Sequence, residues 1–345
     1  MSELNHLWKK LSCSQSSSLL KVHLNTEKLE NLKSKRTKFG GTINDCIRVG
    51  CKYPNISIGI YACDQHAYTT FAEIFDPIIK AYHNMTAFTH PSADYGDPNL
   101  LNLFALESTK DKVISSNINV SRNFDGYRYH PILTKGDRLD IEKLAVEALT
   151  NLEGDLMGRY FSYVGISPED RKNLINENIY FDNSNRLKKA AGCYDDWPAG
   201  RGVYYNLDKN LVCWVNEEDH LRIFCSEKGP RLADAYKKLV RMLQSLEKKV
   251  MFAQGTSGYL NFCCSNLGIA MTISLIVKLP RPDLKPDSLE ICKKYCLECK
   301  PIQNMSSYWI CEIVNKRVIG TTEYETVNSV AMGTVRILNI EDDNK

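Results

Sequence analysis

The spacing of apolar residues changes near residue 100, and this change constrains the fold more than any other feature. In the first hundred residues apolar side chains recur every three or four positions, which predicts helices; an example is the run Phe71, Ile74, Phe75, Ile78 and Tyr82. Glycine and proline interrupt the segment from His90 to Asn99. Short β-rich segments follow it, namely Leu211 to Val215, Leu221 to Cys225 and Ser274 to Leu279. The sequence therefore predicts an α-helical domain over residues 1–97 and a second domain over residues 98–345.

Two long amphipathic helices are predicted among the strands of the second domain. The first carries on one face Ile141, Leu144, Ala148, Leu152 and Leu156. The second carries on one face Leu232, Tyr236, Leu239, Leu243 and Leu246. Helices interspersed with short strands place this domain in the α+β class.

Charge and hydropathy exclude several classes of partner. The 44 Lys and Arg against 41 Asp and Glu give a formal net charge of +3, so bulk electrostatics predict no nucleic-acid and no membrane-surface partner. No window reaches the roughly 18 consecutive apolar residues of a membrane span. The start, Met1 to Lys10, is mixed polar and unlike a secretory signal. We therefore expect a cytoplasmic protein.

The cysteines predict free thiols and no metal site. There are 13 of them, an odd number scattered along a chain without a secretory signal, so a disulfide framework is not expected. The densest group, Cys292, Cys296 and Cys299, has no histidine nearby and lacks the spacing of a zinc site.

Three segments place polar or reactive side chains beside predicted strands. Asn216 to His220 carries four ionisable side chains in a row, a pattern found both at solvated strand ends and in clefts. Cys263 to Gly268 puts a thiol at a strand-to-loop junction, where it is either buried and inert or able to meet a ligand. Asp195 to Gly202 is rich in turn residues, and its glycines allow close backbone approach, to a ligand or within a structural loop.

The chain has no P-loop, no dinucleotide-binding glycine motif and no kinase catalytic loop. Its segments instead resemble the phosphagen kinases, the ATP:guanidino phosphotransferases, and most closely the arginine kinases. The motifs that carry the resemblance are WPAGRG at 197–202, VNEEDHLRI at 215–223, GYLNFCCSNLG at 258–268, KLP at 278–280 and NKRVIGTTEYETV at 315–327, with IGIYACD at 58–64 and FDPII at 75–79 in the helical part. The resemblance implies a small all-α N-terminal domain and a larger domain with an antiparallel β-sheet flanked by helices, closing over Mg-ATP and a guanidino substrate.

Phosphoryl transfer defines what such a site must contain. Cations aimed at the phosphate oxygens stabilise the charge of the transferred group, while anionic groups hold the guanidinium in line with it. The resemblance implies that Glu218 and Cys263 are the catalytic residues that contact the guanidinium. It also implies that Ser57, Gly59 and Tyr61 complete the binding site for the substrate, which we expect to be L-arginine.

The nucleotide side departs from the family pattern. Three phosphate-binding arginines of the family fall on Asn117, Asn119 and Thr272, which leaves Arg222 and Lys300 as the expected nucleotide-binding cations. The lysine keeps the charge of the family loop, which falls on Leu297 to Gln303, but lacks the planar fork of arginine. The remaining degenerate positions are Asn178 and Ile276 in place of adenine-pocket histidines, Met305 in place of the second carboxylate of the guanidinium clamp, and Asn55 with Asp195 in place of an interdomain ion pair.

These departures leave three hypotheses open. In the first, the protein is a pseudoenzyme that keeps the fold and guanidino-ligand binding, with Mg-ATP binding weak or absent. In the second, it is an arginine kinase of low or altered activity. Arg122, five residues after Asn117, then either reaches the phosphates by a local shift or, as we favour, matches a later arginine of the same family segment. In the third, it transfers phosphate to another acceptor, such as protein arginine.

Overall fold

The computed structural model describes residues 3–87, 89–98, 106 and 108–342. The N-terminal part is built from helices, as the apolar spacing predicted. They are α1 (Glu3–Ser12), α2 (Leu19–His23), α3 (Thr26–Leu32), α4 (Ile43–Lys52), α5 (Ala67–Thr70) and α6 (Ala72–His83). Side-chain oxygens of Ser18, Asn25 and Thr42 cap the first turns of α2, α3 and α4, which satisfies backbone N–H groups that have no partner within the helix.

An antiparallel sheet forms the centre of the C-terminal part. Its eight strands lie in the order β2-β3-β4-β5-β1-β8-β10-β9. They are β1 (Val113–Arg122), β2 (Gly158–Ser162), β3 (Gly202–Asn206), β4 (Leu211–Val215), β5 (Leu221–Lys228), β8 (Met271–Leu279), β9 (Leu297–Asn304) and β10 (Trp309–Asn315). A separate ribbon pairs β6 (Gln254–Gly255) with β7 (Gly258–Tyr259).

The helices of the C-terminal part are α7 (Lys135–Leu149), a 3-10 turn (Gly154–Leu156), α8 (Pro168–Asn176), α9 (Arg186–Ala190), α10 (Leu232–Glu247), α11 (Pro286–Lys294) and α12 (Glu323–Asp342). The helices α7, α10, α11 and α12 bury residues in the core on one face of the sheet. Leu174 of α8 packs with Val203 in a separate cluster, and Leu187 and Ala190 of α9 pack against the core of the helical part. The main core joins buried residues of α7, α10 and α12 to alternate residues of the strands, such as Ile118, Ile223 and Ile273. The intervening strand residues point to the opposite face. On the middle strands β5, β1 and β8 much of that face is polar.

The predicted strands and the two predicted helices of this domain are present, and one of the helices is shorter than predicted. The second predicted helix is α10, and its five apolar residues are all buried. The first predicted helix ends at Leu149, so Leu152 and Leu156 do not continue it. They lie in a turn and in the 3-10 turn, although both are buried. Gly154, with a left-handed φ of 63°, takes the chain out of helical geometry here.

A second hydrophobic core joins the helical part to loops of the sheet domain. It combines residues of α4 and α6, such as Ile47, Ile74 and Phe75, with Tyr129, Phe262 and Cys264. The Ala62 N–H donates to the Phe262 carbonyl at 2.8 Å, and the Tyr68 hydroxyl donates to the Asn261 carbonyl at 2.5 Å. The segment around Cys263 therefore lies where the two parts meet. The boundary between residues 97 and 98 stays a prediction, because residues 99–105 are outside the described ranges.

All 13 cysteines are free thiols. Among the described residues, no group of three His, Cys, Asp or Glu side chains is arranged to hold a metal ion. Within the same ranges, no helix combines the length and the apolar character needed to cross a membrane.

Candidate functional site

The acidic segment Asn216 to His220 is the tip of the β4–β5 hairpin. Asn216 adopts a left-handed φ of 55°, and its N–H donates to the His220 carbonyl at 2.9 Å, which closes the turn. The Asn216 side-chain amide donates to the carbonyls of Arg138 (3.0 Å) and Gly200 (2.7 Å). These bonds fasten the hairpin tip to the segment WPAGRG, whose Arg201 is itself fully buried and bonded to backbone carbonyls. The turn-rich segment is therefore a structural support for the acidic loop.

Asp219 and His220 fasten the same loop to the cysteine segment. The Asp219 carboxylate accepts from the Asn123 side-chain amide at 2.7 Å and from the Phe262 N–H at 2.9 Å. His220 Nδ1 accepts from the Phe124 N–H at 3.0 Å, so the proton resides on Nε2, which donates to the Arg128 carbonyl at 2.9 Å. Burial raises the pKa of Asp219 to about 6 and lowers the pKa of His220 to about 4. Two motifs far apart in the chain thus form one rigid unit.

Cys263 lies between this unit and the helical domain. Its backbone forms an isolated antiparallel bridge with Tyr61, and the Tyr61 ring stacks on Phe262 with 4.7 Å between centroids. The Cys263 Sγ lies 3.0 Å from the Ser265 hydroxyl. Burial, reinforced by the charge of Glu218, raises the pKa of the Cys263 thiol to about 12. In this arrangement the group is a neutral thiol at physiological pH.

The predicted substrate loop, Ser57 to Gly59, lies beside α2 and α4. Its carbonyls are used in the fold: those of Ser57 and Ile58 accept from the N–H groups of Leu19 (2.8 Å) and Leu20 (2.9 Å). Its own N–H groups donate to no described residue. Gly59 has a left-handed φ of 86°, and a Cβ there would lie 2.8 Å from the Leu20 Cβ, so the position requires glycine.

The carboxylates of Glu217 and Glu218 share a cation that the sequence did not predict. Lys188 Nζ lies 3.0 Å from Glu218 Oε2 and also contacts Glu217 Oε1. The other Glu217 oxygen lies 3.5 Å from Arg222 Nη1. The Glu217 side chain is only 6% exposed, against 27% for Glu218. Lys188 is thus the functional candidate that sequence reasoning missed, while Glu217 was predicted only as part of the acidic segment Asn216 to His220.

Asn117, Asn119, Thr272 and Ile276, four of the positions where family side chains were predicted to be replaced, lie together on the polar face of the sheet. Asn119 of β1 is directly opposite Thr272 of β8, and Asn117 is opposite Ser274. Arg222 of β5 donates through Nε to Asn119 Oδ1 at 3.4 Å. Its guanidinium also lies 5.2 Å from the Phe224 ring centroid. Ile276 is on the same face of β8, two residues beyond Ser274.

The two expected nucleotide-binding cations are not brought together. Lys300 lies on β9, where its side chain is 53% exposed and Nζ is 2.9 Å from Glu298. β9 is four strands from β5, which separates Lys300 from Arg222 by about 19 Å at about 4.8 Å per strand. The segment Leu297 to Gln303, predicted as a loop, is part of strand β9, because its backbone pairs with β10. The pairing therefore corrects the loop assignment, while the joint role of the two cations stays a prediction.

Met305 and Asn178 lie at exposed turns outside the polar face. Met305 is in the short turn between β9 and β10, with 36% of its surface exposed, and its N–H donates to the Tyr308 carbonyl at 2.9 Å. Asn178 follows α8 with a left-handed φ of 57°. The carbonyl of its neighbour Ile179 accepts from the indole N–H of Trp214 at 2.6 Å. Trp214 pairs with Arg222, so this turn borders the polar face.

Arg122 does not reach the polar face. Because side chains alternate along β1, it lies on the side opposite to Asn117 and Asn119, and it is fully buried. Its Nη2 is 3.7 Å from Glu323 Oε1, and its guanidinium lies 3.4 Å from the Tyr259 ring centroid. A small shift of the strand would not bring this side chain to the phosphate positions.

A cavity of about 610 Å³ lies beside α9, between it and α4. Four cationic side chains line it, Arg48, Lys52, Arg186 and Lys189, together with Asp195. Asp195 and Asn55 are the positions where an interdomain ion pair was predicted to be missing, and among the described residues they form none. None of the predicted substrate or nucleotide residues lines this cavity.

Comparisons with known proteins agree with this arrangement. The chain matches the family model "ATP:guanido phosphotransferase, C-terminal catalytic domain" over residues 140–344 and "ATP:guanido phosphotransferase, N-terminal domain" over residues 14–80. It is 43% identical to the arginine kinase Oct f 2 of Amphioctopus fangsiao over 95% of both chains. It is 40% identical to an arginine kinase of Liolophura japonica over 99% of both chains.

Solved structures match the fold over nearly its whole length. The substrate-free duplicated taurocyamine kinase of Schistosoma mansoni superposes with a TM-score of 0.92 at 32% identity and covers 99% of this chain. This chain spans about half of that protein, 49% of its length. A lombricine kinase superposes with a TM-score of 0.85 at 26% identity. With both family domains in order and arginine kinases as relatives, the chain belongs to the ATP:guanido phosphotransferase family, the phosphagen kinases, as an arginine kinase-like member.

Proposed function

We propose that this protein binds L-arginine and that its phosphoryl transfer is lost or strongly reduced. One observation carries the proposal: Asn117, Asn119 and Thr272 lie side by side on the sheet face where the family pattern places arginines, and the cation Arg222 contacts Asn119. The guanidine half keeps Glu218, Cys263 and Tyr61 but has Met305 in place of its second carboxylate, while the phosphate half presents neutral amides and hydroxyls.

The residues present do not fit a magnesium nucleotide. Arg222 already forms an ion pair with Glu217, and Lys300 lies on a distant strand beside Glu298. A hydrogen bond to a charged group contributes roughly 1.5 to 3 kcal/mol. A micromolar affinity corresponds to about 8 kcal/mol, so three missing arginines account for most of it. Because one arginine in a phosphoryl-transfer site is worth roughly 10³ to 10⁵ in rate, we also expect severe loss of catalysis.

The guanidine half fits an amino acid with a guanidinium side chain. Glu218 supplies the anion, and Cys263 and Tyr61 lie close enough to it that its charge adds to burial in raising the pKa of both. The N–H groups of Ser57, Ile58 and Gly59 have no described protein acceptor, so they are available for the carboxylate of arginine. Charge-assisted bonds at both ends of the ligand would orient it along the junction of the two domains.

Calorimetric titration tests both halves separately. We expect Mg-ADP to bind with a dissociation constant above about 100 μM, and L-arginine to bind in the millimolar range or tighter. Glu218→Gln should weaken L-arginine binding by about 30-fold or more and leave the Mg-ADP signal unchanged. Tight binding of Mg-ADP, or arginine binding that Glu218→Gln leaves unchanged, would contradict the proposal.

An active arginine kinase of low efficiency is the second candidate, because the chain is 43% identical to a relative called an arginine kinase. A coupled assay decides between them: ADP formation that requires L-arginine and disappears in Glu218→Gln would favour this candidate. Labelled phosphate that is transferred to arginine residues of a protein would favour a protein-arginine phosphotransferase instead. The cytoplasmic location stays a prediction from the sequence.

A further inference from the structure

Lys188 occupies the position in which a guanidinium would meet the acidic loop. Its Nζ contacts both Glu217 and Glu218, at 3.0 Å from Glu218 Oε2, and its side chain is 20% exposed. Burial alone lowers the pKa of Lys188, but the two carboxylates more than reverse this and raise it above its ordinary range. The site therefore already holds a full positive charge before any ligand arrives.

Hydrogen bonds hold the backbone of Lys188 in place. Lys188 belongs to the short helix α9, and the Asn185 side chain accepts from the N–H groups of Leu187 (3.0 Å) and Lys188 (3.2 Å). The next residue, Lys189, has the same charge and flexibility but is exposed, lines the cavity beside α9 and forms no ion pair with any described residue. One lysine of the adjacent pair is thus directed into the acidic loop and the other is not.

We propose that Lys188 is a resident cation that competes with the guanidinium of the substrate for Glu217 and Glu218, and so sets the affinity and specificity of the site. This inference rests on the proposed binding of a guanidine at Glu218. Two cations cannot share the same carboxylate oxygens without strong repulsion, so the ligand must displace the ammonium or bind beside it. A flexible lysine stem allows displacement, because the side chain has several rotamers and one exposed side.

The competing explanation is that Lys188 only stabilises the fold. Both roles predict that Lys188→Met lowers thermal stability, since two carboxylates lose their partner. Only competition predicts that the same variant binds a guanidine more tightly. Affinity, rather than stability, therefore decides between the two roles.

The first experiment compares L-arginine binding by calorimetry in the wild type, Lys188→Met and Lys189→Met. We expect the dissociation constant of Lys188→Met for L-arginine to fall at least 10-fold. In this variant the guanidinium can form charge-assisted hydrogen bonds with the carboxylates without first displacing the lysine ammonium. Lys189→Met, the matched control from the same helix, should bind like the wild type. Equal or weaker binding by Lys188→Met would overturn the inference while leaving arginine binding itself intact.

The second experiment does not depend on arginine. Methylguanidinium chloride at low millimolar concentration should raise the melting temperature of Lys188→Met more than that of the wild type or Lys189→Met, by refilling the vacated position. Adding Glu218→Gln to Lys188→Met should remove this gain. If methylguanidinium stabilises the variant but L-arginine binds neither the variant nor the wild type, the proposed arginine function fails and the inference stands. If methylguanidinium gives Lys188→Met no advantage, the inference is wrong.

Discussion

The guanidine half and the phosphate half of the site are built in different ways. Glu217 and Asp219 lie in a buried loop whose bonds reach Lys188, Arg222, Asn123 and Phe262. Asn117 and Asn119 project from a strand that the sheet holds in place whatever their identity. A substitution on the strand face changes the chemistry at little cost to the stability of the fold. A substitution in the loop, in contrast, leaves buried charges without partners. The contrast explains how a protein can lose one half of a site and keep the whole scaffold.

The largest effect should come from refilling the phosphate half. We expect the triple variant Asn117→Arg, Asn119→Arg and Thr272→Arg to bind Mg-ADP roughly 10³-fold more tightly than the wild type, since each hydrogen bond to a charged group contributes roughly 1.5 kcal/mol or more. Calorimetric titration measures this change.

The matched control places three arginines at exposed asparagines away from the sheet face, Asn151, Asn173 and Asn183. It adds the same charge, so a similar gain there would mean that overall charge and not position is responsible. If neither variant gains affinity, the assignment of the phosphate positions to Asn117, Asn119 and Thr272 is wrong.

The stability contrast between the two halves is the next largest effect. Glu217→Gln leaves Lys188 and Arg222 without their buried anion and should lower the free energy of unfolding by about 3 kcal/mol. Thr272→Val, on the exposed strand face, should change it by less than about 0.5 kcal/mol. Urea denaturation measures both. If both variants lost a similar free energy of unfolding, the claim that the loop is more sensitive to substitution than the strand face would be wrong.

The pH dependence of stability tests Asp219 and His220, the buried pair that fastens the acidic loop. His220 has a pKa lowered to about 4, so its contribution to stability is present above pH 6.5 and is lost as the pH falls towards 4. Asp219 has a pKa raised to about 6 from 3.8, so its contribution has the opposite sign: stability is gained as the pH falls from 6 to 3.8. The two contributions nearly cancel in the wild type.

Asp219→Asn removes one of these opposing contributions and keeps an acceptor for the Asn123 and Phe262 N–H groups. Relative to the wild type, the variant should therefore lose about 2 to 3 kcal/mol of unfolding free energy between pH 6.5 and pH 4, at about 1.4 kcal/mol per pKa unit. Parallel stability curves for the two proteins over this range would show that Asp219 is not the balancing group.

Sequence periodicity predicted most of the fold and less of the site, for identifiable reasons. Helix α10 and strands β4, β5 and β8 have strong apolar patterns, and each was found. Segment Leu297 to Gln303 lacks such a pattern, because β9 is an exposed edge strand held mainly by backbone pairing with β10. Edge strands need only one bonded neighbour and little burial, so their sequences carry weak signals.

Lys188 was missed because nothing local distinguishes it from Lys189. Both lie in the five-residue helix α9, which is too short for a helical apolar stripe. Only the tertiary approach of α9 to the β4–β5 hairpin brings one of them to Glu217 and Glu218. Arg122, in contrast, could have been excluded from the sequence alone. Side chains alternate along β1, so a residue an odd number of positions from Asn117 and Asn119 lies on the opposite face of the sheet.

The smallest effect expected concerns Glu218 and Cys263, the two groups that we propose contact the guanidinium. With a pKa of about 12, Cys263 offers a neutral thiol at pH 7, whereas Glu218 offers a full charge. We expect Cys263→Ala to weaken L-arginine binding about 3-fold at pH 7, and Glu218→Gln to weaken it by about 30-fold or more, in line with neutral and charge-assisted hydrogen bonds. Raising the pH to 9 should then separate the wild type from Cys263→Ala, because a bound guanidinium favours the thiolate and only the wild type can form it. Calorimetry at both pH values measures this divergence. A loss at pH 7 as large as that of Glu218→Gln would mean that the thiol is already ionised in the complex, and that burial of Cys263 does not keep it neutral once the ligand is bound.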